Sequence, residues 1–225
     1  MYASLAEVCD EVDATPSLRV LVIRGAGDAF AAGTDITEFR DFRSDADAID
    51  YERRLDAVID RLERVTRPTI AAIDGPAVGG GCAIALACDL RICTARARLG
   101  IPISRTLGNC LSMANTARLV DLVGTARTKD LLFSGRLIDA DEAMTLGLAT
   151  RIAAPETLDT EVRLLAVELG QRAASTILAT KAMLRRLREH RCPPPADDII
   201  AACYASREFK EGVAAFLEGR KPNWS

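Results

Sequence analysis

Ile70-Ala-Ala-Ile-Asp-Gly-Pro-Ala-Val-Gly-Gly-Gly-Cys-Ala-Ile-Ala-Leu-Ala-Cys-Asp-Leu-Arg-Ile92 decides how this chain is read. Ile70 to Ile73 is a short apolar run of strand length, and Asp74-Gly75-Pro76 stops it as a turn. Gly79, Gly80 and Gly81 then open a helix, Cys82 to Ala87, that is apolar on every side and is expected to be buried. The glycines let another backbone or a ligand come close. They also leave the first N–H groups of the helix without internal acceptors. Bare amides at a helix N-terminus attract negative charge. From this stretch alone two readings stay open: tight packing of helix on strand, or an oxyanion site.

A second stretch lies upstream. Arg19-Val-Leu-Val-Ile-Arg24 reads as a strand and runs into a loop containing Phe30-Ala-Ala-Gly-Thr-Asp-Ile36. Together with Gly75 to Gly81 it resembles the crotonase family, also called enoyl-CoA hydratase/isomerase. That family carries F-x-A-G-x-D-[IL] and G-x-[AC]-x-G-G-G motifs in this order. Ser134 to Leu148 and the tail Glu211 to Pro222 look like the same family, so the resemblance covers nearly the whole chain.

The whole composition is compatible. A chain of 225 residues suffices for one core, or a core plus an appendage. Apolar content of 49% with mixed charges marks a soluble globular chain. A net charge of -3 provides no field to recruit nucleic acid or an anionic membrane. Asp74, Pro76 and Asp89 interrupt every apolar run that could approach a membrane span, and no secretion signal opens the chain. Seven cysteines without a C-x-x-C pair argue for free thiols, hence a reducing, cytoplasmic setting, and against a zinc site. No metal is expected.

Read in order, Met1 to Asp13 is a helix with Leu5, Val8 and Val12 on its inner face, ended by Thr15-Pro16. The resemblance implies a β-hairpin and an N-R-P-like loop before it, with a basic residue for the CoA phosphates. No counterpart precedes Met1, which fits a late start or a shortened member; in the second case an open sheet edge needs a cover. Ser44 to Thr66 is a helix with Leu55, Val58, Ile59, Leu62 and Val65 inward and Glu and Arg outward, ended by Arg67-Pro68. Leu90 to Ala95 and Leu99 to Ile101 are strands. Ser112 to Val123 is a helix with Met113, Ala117, Val120 and Val123 inward. Asp139 and Glu142 form an acidic capping box for a helix that Gly147 closes. Pro155 to Arg172 and Ser175 to His190 are amphipathic helices. Cys192-Pro-Pro-Pro-Ala-Asp is a polyproline spacer before a final helical pair, Asp197 to Tyr204 and Arg207 to Glu218. The class is α/β. The resemblance implies a crotonase-like spiral of ββα units over residues 1–151 carrying the acyl-CoA site. Residues 152–225 form the helical C-terminal layer that assembles a homotrimer or a dimer of trimers.

What the resemblance implies for the site is specific. Two backbone amides hold the thioester oxygen as the adjacent carbon becomes an enolate, and they map to Thr34 and Gly80. The Ala32 carbonyl matches the contact to the CoA adenine, and Asp35 and Ile36 complete that loop. Gly79, Ala83, Pro102, Ile103 and Asn109 are expected around the acyl chain. Asp35 reads equally as a helix N-cap before Thr37 and Glu38. CoA enters as part of the substrate, and no tightly bound cofactor is expected.

The departures bear on the reaction. A hydratase of this family has glutamate two residues after the last glycine of the triplet, where this chain has Ala83, and a second glutamate where it has Ile103. Water addition needs that carboxylate pair, and each acid or base group contributes roughly 100- to 10000-fold. Efficient hydration is therefore not expected, while the oxyanion motif is intact. Asn109 and Arg105 could bind a carboxylate or orient a water, or Asn109 could cap the following helix; Cys110 reads as a small buried residue or a soft polar contact.

Other chemistries find no support. There is no G-x-S-x-G elbow, and Gly75 to Gly81 lacks the Lys-Ser/Thr of a phosphate-binding loop. His190 sits at a basic helix end. One relative in the family uses a lysine-lined helix for RNA, but Lys181 to Arg191 reads here as a solvated face. The family's CoA-contacting lysine matches Gly219, leaving Arg220 or Lys221 as stand-ins. Three readings result: a thioester enzyme that forms an enolate without the glutamate pair, by isomerisation or decarboxylation; a relic that binds acyl-CoA; or an RNA- or protein-interaction member.

Overall fold

Six short strands form in the computed structural model, which describes residues 1–191 and 195–224. They are β1 (Leu21–Arg24), β2 (Thr69–Ile73), β3 (Pro76–Val78), β4 (Leu90–Thr94), β5 (Arg98–Gly100) and β6 (Arg151–Ala153). β1, β2, β4 and β6 make one parallel sheet in that order, with Leu21 opposite Thr69, Ile70 opposite Leu90 and Ile92 opposite Arg151. β3 and β5 make a second parallel pair. Two turns of chain, beginning with β2-β3 and β4-β5, thus each give one strand to the first sheet, the next to the second, and then a helix. That is the ββα spiral expected.

The helices are α1 (Tyr2–Ala14), α2 (Asp45–Glu63), α3 (Gly80–Ala87), α4 (Met113–Ser134), α5 (Ala140–Thr145), α6 (Leu158–Gly170), α7 (Ala174–Arg191), α8 (Asp197–Ala205) and α9 (Arg207–Leu217). A 3-10 turn, Ile36–Asp41, precedes α2. β2 is buried throughout because both faces of its sheet are covered. Ala71 and Ile73 join α1, α2 and α3 in the main core, whereas Ile70 and Ala72 meet Leu158, Val162 and Leu165 of α6. A third cluster holds the C-terminal pair against the front of the molecule. Phe39 lies 5.0 Å from Tyr51, edge to face, and Tyr204 lies 4.5 Å from Phe209. Such ring pairs contribute about 0.5–1.5 kcal/mol each beyond their burial.

Several expectations need correction. On α1 Val12 is buried as expected, but Cys9 rather than Val8 is buried with it, and Val8 is 41% exposed. On α2 the polar residues do not all face outward, because Glu52 is 5% exposed. α4 continues past Val123 to Ser134, broken by Gly124 at φ 76°, and its inner face carries Asn115, Arg118 and Leu119. Arg118 can be buried because Glu63 meets its Nη2 at 2.9 Å, and Asn115 donates to Asp56 at 2.9 Å. Ser112 caps this helix by accepting from the Asn115 amide, so Asn109 is not its cap. β3 and β6 were not anticipated; Pro76 opens β3, the strand position that tolerates proline. The polyproline spacer begins on residues 192–194, outside the described residues. Among the described residues, no helix is long and apolar enough to cross a membrane.

Candidate active site

Two loops meet backbone to backbone at the N-terminus of α3. Ala31 pairs with Ala77 in an isolated parallel bridge, and the Val78 amide donates to the Ala31 carbonyl at 2.9 Å. Gly79 turns the chain at φ 58° while its amide donates to Gly100 O at 2.9 Å. A Cβ on Gly81 would fall 2.2 Å from the Ala31 carbonyl oxygen, so this glycine is required by packing. The amides of Thr34 and Gly80, in contrast, meet no acceptor among the described residues. Packing and unpaired amides therefore coexist in one glycine triplet. At the far end of α3 the buried Arg91 guanidinium donates to Cys88 O at 2.6 Å and Ala85 O at 3.2 Å, which satisfies the helix C-terminus.

A cavity of about 230 Å³ opens where the loops meet. Ala32, Thr34, Ile36, Gly79, Gly80, Ala83, Pro102, Ile103 and Asn109 all line it. Asp35 is not among the lining residues: its exposed carboxylate accepts from the Thr37 amide at 2.9 Å and hydroxyl at 2.7 Å, capping the 3-10 turn. Arg105 lies outside, in a neighbouring hollow with Arg220, Lys221 and Trp224 that shares Thr106 and Phe216 with the cavity. Arg220 is bound to Glu211 and Glu218, both at 2.5 Å. Cys110 lines the cavity and is half-buried beside Cys203, so it is neither fully buried nor alone. Among the described residues no cluster of His, Cys, Asp or Glu is placed to hold a metal.

Four polar side chains of the site were not anticipated. The Tyr2 hydroxyl shares a 3.0 Å hydrogen bond with Thr34 Oγ1 and packs on Gly80, and burial pushes the phenol above its ordinary pKa. Tyr51 lines the same cavity as Thr34, and burial raises its pKa as well. Glu52 points into the same cavity. Its Oε1 accepts from the Tyr204 hydroxyl, which in turn accepts from Asn109 Nδ2 at 3.2 Å. Burial pushes the Glu52 carboxyl up to about 7; the Tyr204 bond works against this and the neighbouring Asp56 charge adds to it. The sequence did hold a signal for Glu52. It stands three residues before Leu55 and seven before Ile59, on the stripe those residues define.

Fold and cavity together define a ββα-spiral protein with a pocket where two loops meet at the N-terminus of α3. The model of the family described as enoyl-CoA hydratase/isomerase matches residues 1–225. A crotonyl-CoA hydratase of Syntrophomonas wolfei is 35% identical over 98% of this chain and 87% of its own. The structure of an enoyl-CoA hydratase/carnithine racemase from Magnetospirillum magneticum is 32% identical, with TM-score 0.80, over 100% of this chain and 85% of that one. A methylmalonyl-CoA decarboxylase structure, 24% identical, shares the fold at TM-score 0.90 over 100% of this chain and 87% of that one. This chain belongs to the enoyl-CoA hydratase/isomerase family and has the crotonase fold.

Proposed function

We propose that this protein binds an acyl-CoA thioester with its carbonyl oxygen between the Thr34 and Gly80 amides, and stabilises the thioester enolate there. The observation that carries the reading is the pair of unpartnered amides on the floor of a cavity lined mostly by apolar groups. Preorganised backbone donors of this kind are each worth about 100- to 1000-fold in rate. The CoA moiety leaves past Ala32, and Arg105 and Lys221 stand in the adjoining hollow to meet its phosphates.

Hydration is not the favoured reaction. Ala83 and Ile103 give the acyl pocket a dry wall where a hydratase of the family holds water between two carboxylates. Binding without turnover, as in a relic, is the second reading, favoured by the same two residues. Crotonyl-CoA separates the possibilities. It should raise the melting temperature, since a ligand at 100 times its Kd stabilises by about 2.7 kcal/mol. Its hydration should run far below a kcat of about 10 per second, an ordinary enzymatic rate. Hydration at or above that rate would overturn the assignment of Ala83 and Ile103, and no thermal shift would overturn the thioester reading.

A further inference from the structure

The cavity lacks acid–base groups at the two positions where the family's hydratases carry them, yet it is not without a carboxyl. Among the described residues Glu52 is the one carboxyl that lines it, and Glu52 comes from α2 rather than from α3 or the loop after β5. We infer that Glu52 is the proton-transferring residue of this site, with Tyr204 and Asn109 as its positioning residues. The inference rests on the thioester reading above and names the group that moves the proton.

Three observations carry it. Glu52 shares the cavity with Thr34 and Gly80, and Tyr51 beside it on α2 lines the same cavity, so this wall and the amide floor bound one space. A chain of donors, Asn109 Nδ2 to Tyr204 hydroxyl to Glu52 Oε1, holds the carboxyl in one orientation. The Asn109 Oδ1 atom is buried without a partner, an open acceptor on the same wall for a donor brought by ligand or water. A side chain kept only to tie α2 to α8 could be an amide, which would bear no penalty for burying charge. A carboxyl adds a transferable proton.

The groups facing Glu52 leave it free to exchange that proton near neutral pH. They are Asp56 and Tyr51 on α2, Tyr2 on α1, Cys110 before α4, and Cys203 and Tyr204 on α8, with Arg118 of α4 beyond Asp56. None of the described residues that touch Glu52 is a cation, and burial pushes its pKa up to about 7. In a β,γ-unsaturated acyl thioester, the Cα–H bond breaks, its proton passes to a Glu52 carboxylate oxygen, and its electron pair enters the dienolate. The neutral carboxyl then returns the proton to Cγ as the dienolate reforms the carbonyl, leaving the double bond between Cα and Cβ. Nothing is oxidised or reduced, and no co-reactant is consumed.

The test is deuterium incorporation from D₂O into 3-butenoyl-CoA and crotonyl-CoA, read by mass spectrometry, with butyryl-CoA thermal shift as the separate measure of binding. Wild type should incorporate deuterium, and Glu52→Gln should lose at least about 100-fold in exchange rate while keeping the butyryl-CoA shift. Tyr204→Phe should still exchange, but with the midpoint of its pH profile moved upward, because the donor that favours the carboxylate is gone. Exchange in Glu52→Gln within a few-fold of wild type, or a wild type that binds butyryl-CoA and exchanges nothing, overturns the inference. So does an unmoved profile in Tyr204→Phe, which decides the matter if Glu52→Gln does not fold. A wild type with no butyryl-CoA shift overturns the thioester reading itself.

Discussion

Glu52 trades stability for a chemically useful pKa, and that trade can be measured without any substrate. Its carboxyl titrates near 7 in the folded protein, against roughly 4.3 in an unfolded chain. Between those values the folded state binds more protons than the unfolded one, so stability falls as pH rises. Glutamine carries no such linkage. Glu52→Gln should therefore match wild type near pH 4 and become more stable by on the order of 3 kcal/mol at pH 8. Urea unfolding midpoints at the two pH values give the comparison, and a difference between variant and wild type that does not change with pH would contradict the burial of this charge. The neighbouring residues show why the site was only half legible. Thr34 and Gly80 stand in motifs whose order and spacing identify them, whereas Tyr2, Tyr51, Glu52 and Tyr204 are separated by up to 202 positions and meet only through packing.

At the scale of elements, legibility followed how much of an element's reason is local. α3 is legible because an apolar run follows a glycine triplet, in which Gly79 takes a positive φ and Gly81 answers a backbone contact that only glycine allows. β2 is legible as an apolar run closed by a turn, and β4 as a short strand-length run. β3 and β6, three residues each, have no periodicity to detect; they exist because a neighbouring strand offers them partners. The inner face of α4 was misplaced for a related reason. Besides Leu119 and Leu131, its buried residues include Asn115 and Arg118, polar side chains that are tolerated inside because Asp56, Ser112 and Glu63 pair with them. Asn109 has the residue type of a cap, but Ser112 fills the capping role and leaves Asn109 to the cavity. Helix periodicity assumes that apolar means inside, and it fails where polar partners are supplied by a distant segment.

The whole molecule leaves a further face to account for. α7 buries none of its side chains within the chain, and it is held by charged contacts such as Lys181 to Asp89 at 2.5 Å. Met183, Leu184 and Leu187 are 66%, 62% and 59% exposed on it. Apolar groups repeated along a helix are the ordinary mark of an interface, and the trimer-based assembly proposed from the family resemblance would cover them. Sedimentation at micromolar concentration should give a trimer or hexamer, and a monomer alone would contradict it. The account as a whole stands on a single piece of geometry, the two amides at the meeting of the first loop and α3. A crystal structure with bound acyl-CoA measures it most directly. The account predicts the thioester oxygen within hydrogen-bond reach of both the Thr34 and Gly80 nitrogens; that oxygen lying more than about 3.5 Å from both would contradict it.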